Sequence, residues 1–544
     1  MTSNYLSVKG KAKMDLFNQT GYFDTFVSVS NRTNKNRAKK ERLQKEYILP
    51  SHNIKHPKET IPFLKQLLEE HKKGVDVKAI LFGVSKQLLG IELAEYKHYD
   101  KGFHISVPAK VKQETDLIGS IYQYLTPKDI RLASGSFYTN ESMIEDIVKQ
   151  LDIKETDVIF DPAVGSGNLI FNSKIKRPEQ IVGIDYDEIA VFCCKVNYYL
   201  KFGNNAPTPK IYQSDFCQFI LKNREQFDYV LCNPPFGATL DVSCLAKMCV
   251  ATEDSLTYFV IYATPLAKKK AVFILPESVI NVKKHTDLRK WILDNNYLTE
   301  IKSYGANFSG TMFPIVTLTL DKNNKADSFT YDSDKIKTST IKDIPFYYFR
   351  PINHETEALI KKVFDKKTQS LKGSLFGLGV VTGDNKNKVF SVRADDLEPV
   401  ITGKDITKYK IATPTKYIKY DRSALQQVAP DALYRSKEKI IYKTVSRDMI
   451  FALDTTGTLT LNSANFFIPQ NLTISNKCLV ALLNSPLYNK LNKLLYGENK
   501  ISRTNLENLP IPDIDKQTQN QIEKFIDTEE YSKVETIINE IFGL

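Results

Sequence analysis

The chain has 544 residues, 42% hydrophobic and 25% charged, with a formal net charge of +12. That length holds more than one domain, and the composition is that of a globular protein. No apolar run reaches membrane-spanning length and no secretory leader pattern opens the chain. The 7 cysteines and 7 histidines lack disulfide or metal-site spacing, so the expectation is a cytoplasmic protein with reduced thiols, no membrane contact and no metal.

The basic excess is densest at the start, where residues 1–60 hold 12 Lys+Arg against 5 Asp+Glu. Such a balance suits a polyanionic partner, and a solvated basic surface is the alternative. Residues 31–45 have helix-forming composition with little apolar periodicity, which reads as an exposed helix or arm. Residues 58–98 read as helical, with Ile61, Phe63, Leu64, Leu67 and Leu68 followed by Ile80, Leu81, Val84, Leu88 and Leu89. The same region carries Asp76 and Glu95-Tyr96-Lys97, the outline of a metal-dependent nuclease site. The helical setting speaks against it, because such a site wants strands.

From residue 116 the pattern changes. A helix-like stretch begins at Asp116, and another helix opens at Asn140 with Ile144, Ile147, Val148 and Leu151 on one face. Strands and helices then alternate. Residues 157–160 form a strand that enters the glycine loop Asp161-Pro162-Ala163-Val164-Gly165-Ser166-Gly167. Residues 180–184 form a strand ending at Asp185, and a helix spans 187–201 with Gly203 near its end. Residues 210–213 form a strand ending at Ser214-Asp215-Phe216, and 228–232 a strand ending at Asn233-Pro234-Pro235-Phe236. Further strands are expected at 271–275 and 315–320. The alternation predicts an α/β fold, a Rossmann-like, parallel, doubly wound sheet with helices on both faces.

In such sheets ligands sit at the carboxyl ends of the strands, where these residues fall. The glycine loop lacks the third glycine of the dinucleotide fingerprint but lets a ligand approach its backbone. Asp185 lies 20 residues after Gly165, where an acid binds ribose hydroxyls. Tyr186 offers a ring to an adenine and Asp215 an acceptor to its amine. In Asn233-Pro234-Pro235-Phe236 the prolines stiffen the loop. The Asn233 side chain and Pro234 carbonyl offer two acceptors for one amino group, and Phe236 offers an aromatic face. Such a layout biases a planar amine toward tetrahedral geometry without a metal or strong base.

At these residues the sequence resembles the S-adenosylmethionine-dependent amino-group DNA methyltransferases of the adenine-N6 class. The motif order is the gamma one found in type II and type IIG restriction–modification methyltransferases. The resemblance covers residues 116–515. It implies that Phe137, Tyr138 and Thr139 flank the methionine end of S-adenosylmethionine, with Asp161, Ala163 and Gly165 along its methionine and sulfonium side. Asp185 would bind the ribose, Tyr186 cover the adenine, Asp215 bond the adenine amine and Phe216 pack on that ring. Asn233 and Pro234 would grip the target amine, with Pro235 completing the catalytic stretch and Phe236 stacked on the flipped base. Phe308 or Phe313 would close the other side of that base. The Gly pair usual before the fifth strand is replaced by Lys268-Lys269-Lys270, expected in a turn, and residues 237–254 read as a lid.

The C-terminal third resembles the target-recognition domains of type I specificity subunits and of type II and IIG enzymes. Short strands and interspersed Lys437, Lys443, Arg447 and Arg503 suit phosphate contacts. The expected domains are a helical basic N-terminal region (1–115), a methyltransferase domain (116–330), a linker with an α+β target-recognition domain (331–515), and a C-terminal helical segment (516–544). The expected partners are double-stranded DNA and a separately encoded restriction endonuclease. The rival readings are a bifunctional endonuclease–methyltransferase, an RNA or protein-glutamine N-methyltransferase, and a catalytically idle DNA-binding subunit.

Overall fold

The computed structural model describes residues 47–50, 54–127, 141–223, 225–236, 254–305, 314–497 and 501–544. These fall into two compact units that divide between Asn353 and His354.

The first unit opens with helices. α1 (Pro57–Lys72) starts on a proline, where a missing N–H leaves no bond unmade. Its Phe63, Leu64, Leu67 and Leu68 recur at helical spacing and are buried. α2 (Val77–Leu89) is capped by Asp76, which accepts from the Lys78 N–H. α3 (Leu117–Leu125) starts behind Asp116, which accepts the Gly119 N–H. The residues of the nuclease outline have structural partners here. Asp76 is a helix cap, Glu95 pairs with Lys195 at 2.8 Å, and both lie on helical elements. The described residues hold no cluster of His, Cys, Asp or Glu placed to bind a metal ion.

α4 (Glu141–Lys149) precedes β1 (Ile159–Asp161). Then come β2 (Ile181–Asp185), α5 (Glu188–Phe202), β3 (Ile211–Gln213), α6 (Phe216–Lys222), β4 (Phe227–Cys232) and α7 (Ser255–Ala263). β5 (Ala267–Pro276), α8 (Thr286–Asp294), β6 (Leu298–Gly305), β7 (Ile315–Leu320), β8 (Ser328–Tyr331) and β9 (Asp334–Lys337) complete the sheet region. The nine strands form one sheet in the order β3-β2-β1-β4-β5-β7-β6-β8-β9.

β1 to β5 are parallel, as predicted. The other half departs from a parallel sheet. β7 lies antiparallel between β5 and β6, and β8 and β9 form a hairpin at the edge. The chain between Gly305 and Ile315 is too short for a crossover helix, so β6 and β7 pair antiparallel. The β8–β9 hairpin lies in 321–350, a stretch whose sequence reads as a polar connection. The compact unit therefore continues to Asn353, past the expected boundary at 330. Lys268, Lys269 and Lys270 lie inside β5, not in a turn, and Lys269 Nζ reaches both Asp157 oxygens at 2.7 and 2.8 Å.

Helices cover both faces. Ile144 and Ile147 of α4 and Val191, Cys194 and Tyr198 of α5 pack with Ile159, Leu231 and Val272 of the sheet. On the other face the Phe160 ring stacks with Phe219 of α6 and with Phe227. α1, α2 and α3 share a core with Phe192, Cys193 and Val196 of α5, so the described N-terminal helices belong to the catalytic unit.

The second unit opens with α9 (His354–Asp365) and contains two four-stranded sheets. One pairs Leu375–Gly377, Ala464–Ile468, Lys439–Lys443 and Phe451–Asp454 in that order; the other pairs Val389–Phe390, Lys416–Ile418, Glu398–Ile401 and Leu459–Thr460. The apolar stretch near 478–487 forms two helices, Asn476–Asn484 and Pro486–Tyr496, divided at Ser485. The final helices, Lys516–Asp527 and Tyr531–Ile541, dock within this unit, where Gln519 Oε1 accepts the Ser475 N–H at 3.0 Å. Among the described residues no helix is long and apolar enough to cross a membrane.

Candidate active site

The glycine loop, Asp185, Asp215 and the Asn-Pro-Pro-Phe stretch all lie at the carboxyl ends of strands that neighbour one another in the order β3-β2-β1-β4. Hydrogen bonds tie these ends together. The Val164 N–H donates to the Ile184 carbonyl at 2.9 Å, and the Ser214 N–H to the Asp185 carbonyl at 2.9 Å.

The glycine loop leaves β1 at Asp161, whose buried Oδ1 accepts the Ala163 N–H at 3.0 Å. Burial pushes the Asp161 carboxyl up to about 8, and the nearby charge of Asp185 adds to this. Gly167 turns the loop into a short helix at φ +86°, and a Cβ there would meet the Phe171 ring at 2.1 Å. Asp185 crosses to this loop. Its Oδ2 accepts the Gly165 N–H at 2.9 Å and its Oδ1 the Asp187 N–H at 2.9 Å. Burial raises the Asp185 carboxyl to about 6, against the pull of these N–H donors. A buried acid beside a half-buried one suits a cationic ligand, which would draw both toward the carboxylate form.

Beside them Tyr186 is 79% exposed, an uncovered ring at the mouth of the loop. Asp215 is half-buried and caps α6 by accepting the Gln218 N–H at 3.0 Å. Phe216 is buried, its ring stacked on Phe259 of α7 at 4.0 Å between centroids and 15° between planes.

β4 is wholly buried at Val230, Leu231 and Cys232 and delivers Asn233 half-buried at its end. Pro234 is buried, and the Pro235 carbonyl accepts the Ser255 hydroxyl of α7 at 2.6 Å. Phe236 is half-buried against the core cluster to which Val164 and Leu231 belong. Thus Asp161, Ala163, Gly165, Asp185, Tyr186, Asp215, Phe216 and Asn233 to Phe236 stand on four adjacent strand ends. Phe137, Tyr138 and Thr139, Phe308 and Phe313, and most of the 237–254 stretch lie outside the described residues.

Sequence reasoning passed over three contacts around this site. Asp116 binds the glycine loop, Tyr122 binds Asp187, and the Tyr304 hydroxyl donates to Asp146 at 2.8 Å. The cap position of Asp116 was a legible signal, but its reach to Ser166 depends on tertiary packing.

Residues 113–367 match the N-6 DNA Methylase family, and residues 398–511 match the TaqI-like C-terminal specificity domain. The Type II methyltransferase M.VspI of Vibrio sp. (strain 343) is 24% identical over 310 residues, covering 54% of this chain and 75% of the relative. The Type I restriction enzyme EcoEI methylase subunit of Escherichia coli is 26% identical over 188 residues, covering 31% of this chain and 38% of its own. Among solved structures, the Type IIL restriction-modification enzyme MmeI in complex with DNA shares the fold, with TM-score 0.59 and 14% identity over 88% of this chain and 90% of that one. By these matches residues 113–367 belong with the N-6 DNA Methylase family and residues 398–511 with the TaqI-like C-terminal specificity domains, the pairing of an adenine-specific DNA methyltransferase.

Proposed function

We propose that the chain takes its methyl group from S-adenosylmethionine and places it on the N6 amine of an adenine flipped out of double-stranded DNA, at a sequence chosen by residues 398–511. The observation that carries this reading is the convergence of a glycine loop, the acids Asp161 and Asp185, an exposed tyrosine and Asn-Pro-Pro-Phe on four neighbouring strand ends. The donor set fits the cofactor. Asp161 and Asp185 supply negative charge for a cation, the loop backbone comes close at Gly165, and Tyr186 offers a bare ring for a purine.

When bound, S-adenosylmethionine supplies an electrophilic methyl on a positively charged sulfur. The chain's own residues do the rest. Asp185 orients the ribose while its second oxygen holds the loop at Gly165. Asp215 accepts from the adenine amine of the cofactor, and Tyr186 covers that ring. Asn233 Oδ1 and the Pro234 carbonyl each accept one hydrogen of the target amine, which turns its lone pair toward the methyl. Phe236 stacks on the extruded base and offsets part of the few kcal/mol of unstacking. The Ser255 bond to Pro235 fixes the loop from which these groups project.

The direct test is transfer of labelled methyl from S-adenosylmethionine to duplex DNA. Asn233→Ala is expected to cut the rate about 100- to 1,000-fold with cofactor binding retained, the scale of losing one preorganised group at the reacting centre. An unchanged rate would sink the assignment. A separately encoded endonuclease, blocked by the methylation this chain leaves, completes the proposal. DNA from cells expressing the chain should then resist that nuclease at the methylated sites.

A further inference from the structure

We propose that α3 is a positioning element for the cofactor site, holding both of its loops through Asp116 and Tyr122. This rests on the S-adenosylmethionine reading above, and it gives the N-terminal helices a role beyond packing.

Asp116 stands just before α3 and is buried. Its Oδ2 accepts the Ser166 hydroxyl of the glycine loop at 2.5 Å, and its Oδ1 accepts Asn197 Nδ2 at 2.6 Å and the Gly119 N–H at 2.9 Å. Asn197 Nδ2 also donates to the Ser166 carbonyl at 2.9 Å, so Ser166 is held by both its side chain and its backbone. The approach is close enough that a Cβ on Gly119 would lie 2.6 Å from Ser166 Cβ. At the other end of the same helix the Tyr122 hydroxyl donates to Asp187 Oδ2. Asp187 caps α5 through the Ile189 N–H at 2.8 Å, and its own N–H donates to Asp185.

These bonds close a circuit. It runs from Asp116 to Ser166, along the loop to Gly165, across to Asp185, on to Asp187, and through Tyr122 back into α3. A second helix adds to it, since Lys78 of α2 pairs with Glu188 at 2.7 Å. A ligand entering such a site finds both loops already placed, and little of its binding energy goes into ordering them. Neither Asp116 nor Tyr122 is assigned contact with the ligand. Asp116 acts through Ser166, the neighbour of Gly165, and Tyr122 through Asp187, which bonds Asp185.

The experiment compares wild type with Tyr122→Phe, Asp116→Ala and Asp116→Asn in the full chain. It measures the Kd for S-adenosylmethionine by calorimetry, and KM and kcat for methyl transfer to duplex DNA. Tyr122→Phe is expected to raise Kd and KM about five- to tenfold, the worth of one lost hydrogen bond, and Asp116→Ala, which loses three, by at least as much, with kcat at saturating cofactor within about twofold. Asp116→Asn keeps an acceptor for Gly119 and Asn197 and offers an amide to the Ser166 oxygen, so it is expected to restore most of the affinity. Kd and KM unchanged in Tyr122→Phe overturn the proposal, and that variant keeps the test open if Asp116→Ala does not fold. A lower melting temperature with no change in Kd would reveal a structural brace only, and also overturns it. Wild type that binds no S-adenosylmethionine overturns this proposal together with the reading beneath it, whereas wild-type binding with unshifted variants overturns this proposal alone.

Discussion

The two halves of the central sheet use the same kind of strand for different ends. In the parallel half, β1 and β2 end on Asp161 and Asp185, and β3 and β4 run into Asp215 and Asn233 just past their ends. In the antiparallel half, β8 and β9 turn back on themselves at the far edge, and their ends serve one another. Parallel strands leave all their carboxyl ends on one side of the sheet, so loops from distant parts of the sequence meet there. A hairpin places its turn next to its own strands and brings no distant segment with it. The chemistry therefore gathers on one half, and the other half closes the sheet and satisfies its edge.

Substitutions that separate the halves follow from this. The largest effect is expected at Asn233→Ala, where methyl transfer falls by about two to three orders of magnitude while urea unfolding moves little. Next is Gly167→Ala. Its new Cβ meets the Phe171 ring and Cys194 Sγ at a φ of +86°, so a loss of ~2–3 kcal/mol in urea unfolding is expected, together with weaker cofactor binding. On the other half, Asp332 holds φ +52° in the β8–β9 turn and accepts the Ser303 N–H at 2.8 Å. Asp332→Ala is expected to cost ~1–2 kcal/mol in the same unfolding assay and to leave the Kd for S-adenosylmethionine unchanged. A shift in that Kd would break the division between the halves.

The smallest effect concerns pH. Burial holds the Asp161 carboxyl near 8 and the Asp185 carboxyl near 6, both above the ordinary carboxylate range. The folded protein without cofactor then binds more protons than the unfolded chain between about pH 4 and 8, so these two groups make stability decline as pH rises through that window. A cation in the site favours the carboxylates, so cofactor affinity should change the other way and increase a few-fold from pH 6 to 8. Calorimetry in buffers of different ionisation enthalpy should detect proton release on binding, and no release would remove this linkage.

The parallel half was legible because each of its strands is a short apolar run that ends abruptly at Asp161, Asp185, Gln213 or Cys232. α5 was equally clear, with Asp187 and Gly203 marking its ends within a residue or two. β6 was not, because only Leu298 and Ile301 of Leu298–Gly305 are buried, three residues apart rather than two, and Glu300 and Lys302 lie among them. β8 and β9 are four residues each, so polar side chains on their open faces outweigh Phe329 and Ile336 within them. The lysines at the start of β5 read as a turn because composition cannot show that Asp157 waits beside them. Within the site, residue types at strand ends were readable and their supports were not. Asp116 and Tyr122 act on loops 50 and 65 residues away, separations that only packing can bridge.

The bond from Ser255 to the Pro235 carbonyl carries one more consequence. It fastens Asn-Pro-Pro-Phe to the first turn of α7, and α7 is itself fixed by the Asp254 cap and by the Phe216–Phe259 stack. Both ends of the chain between Phe236 and Asp254 are thus anchored independently of that chain. Asn233 therefore takes its address from α7 as well as from β4.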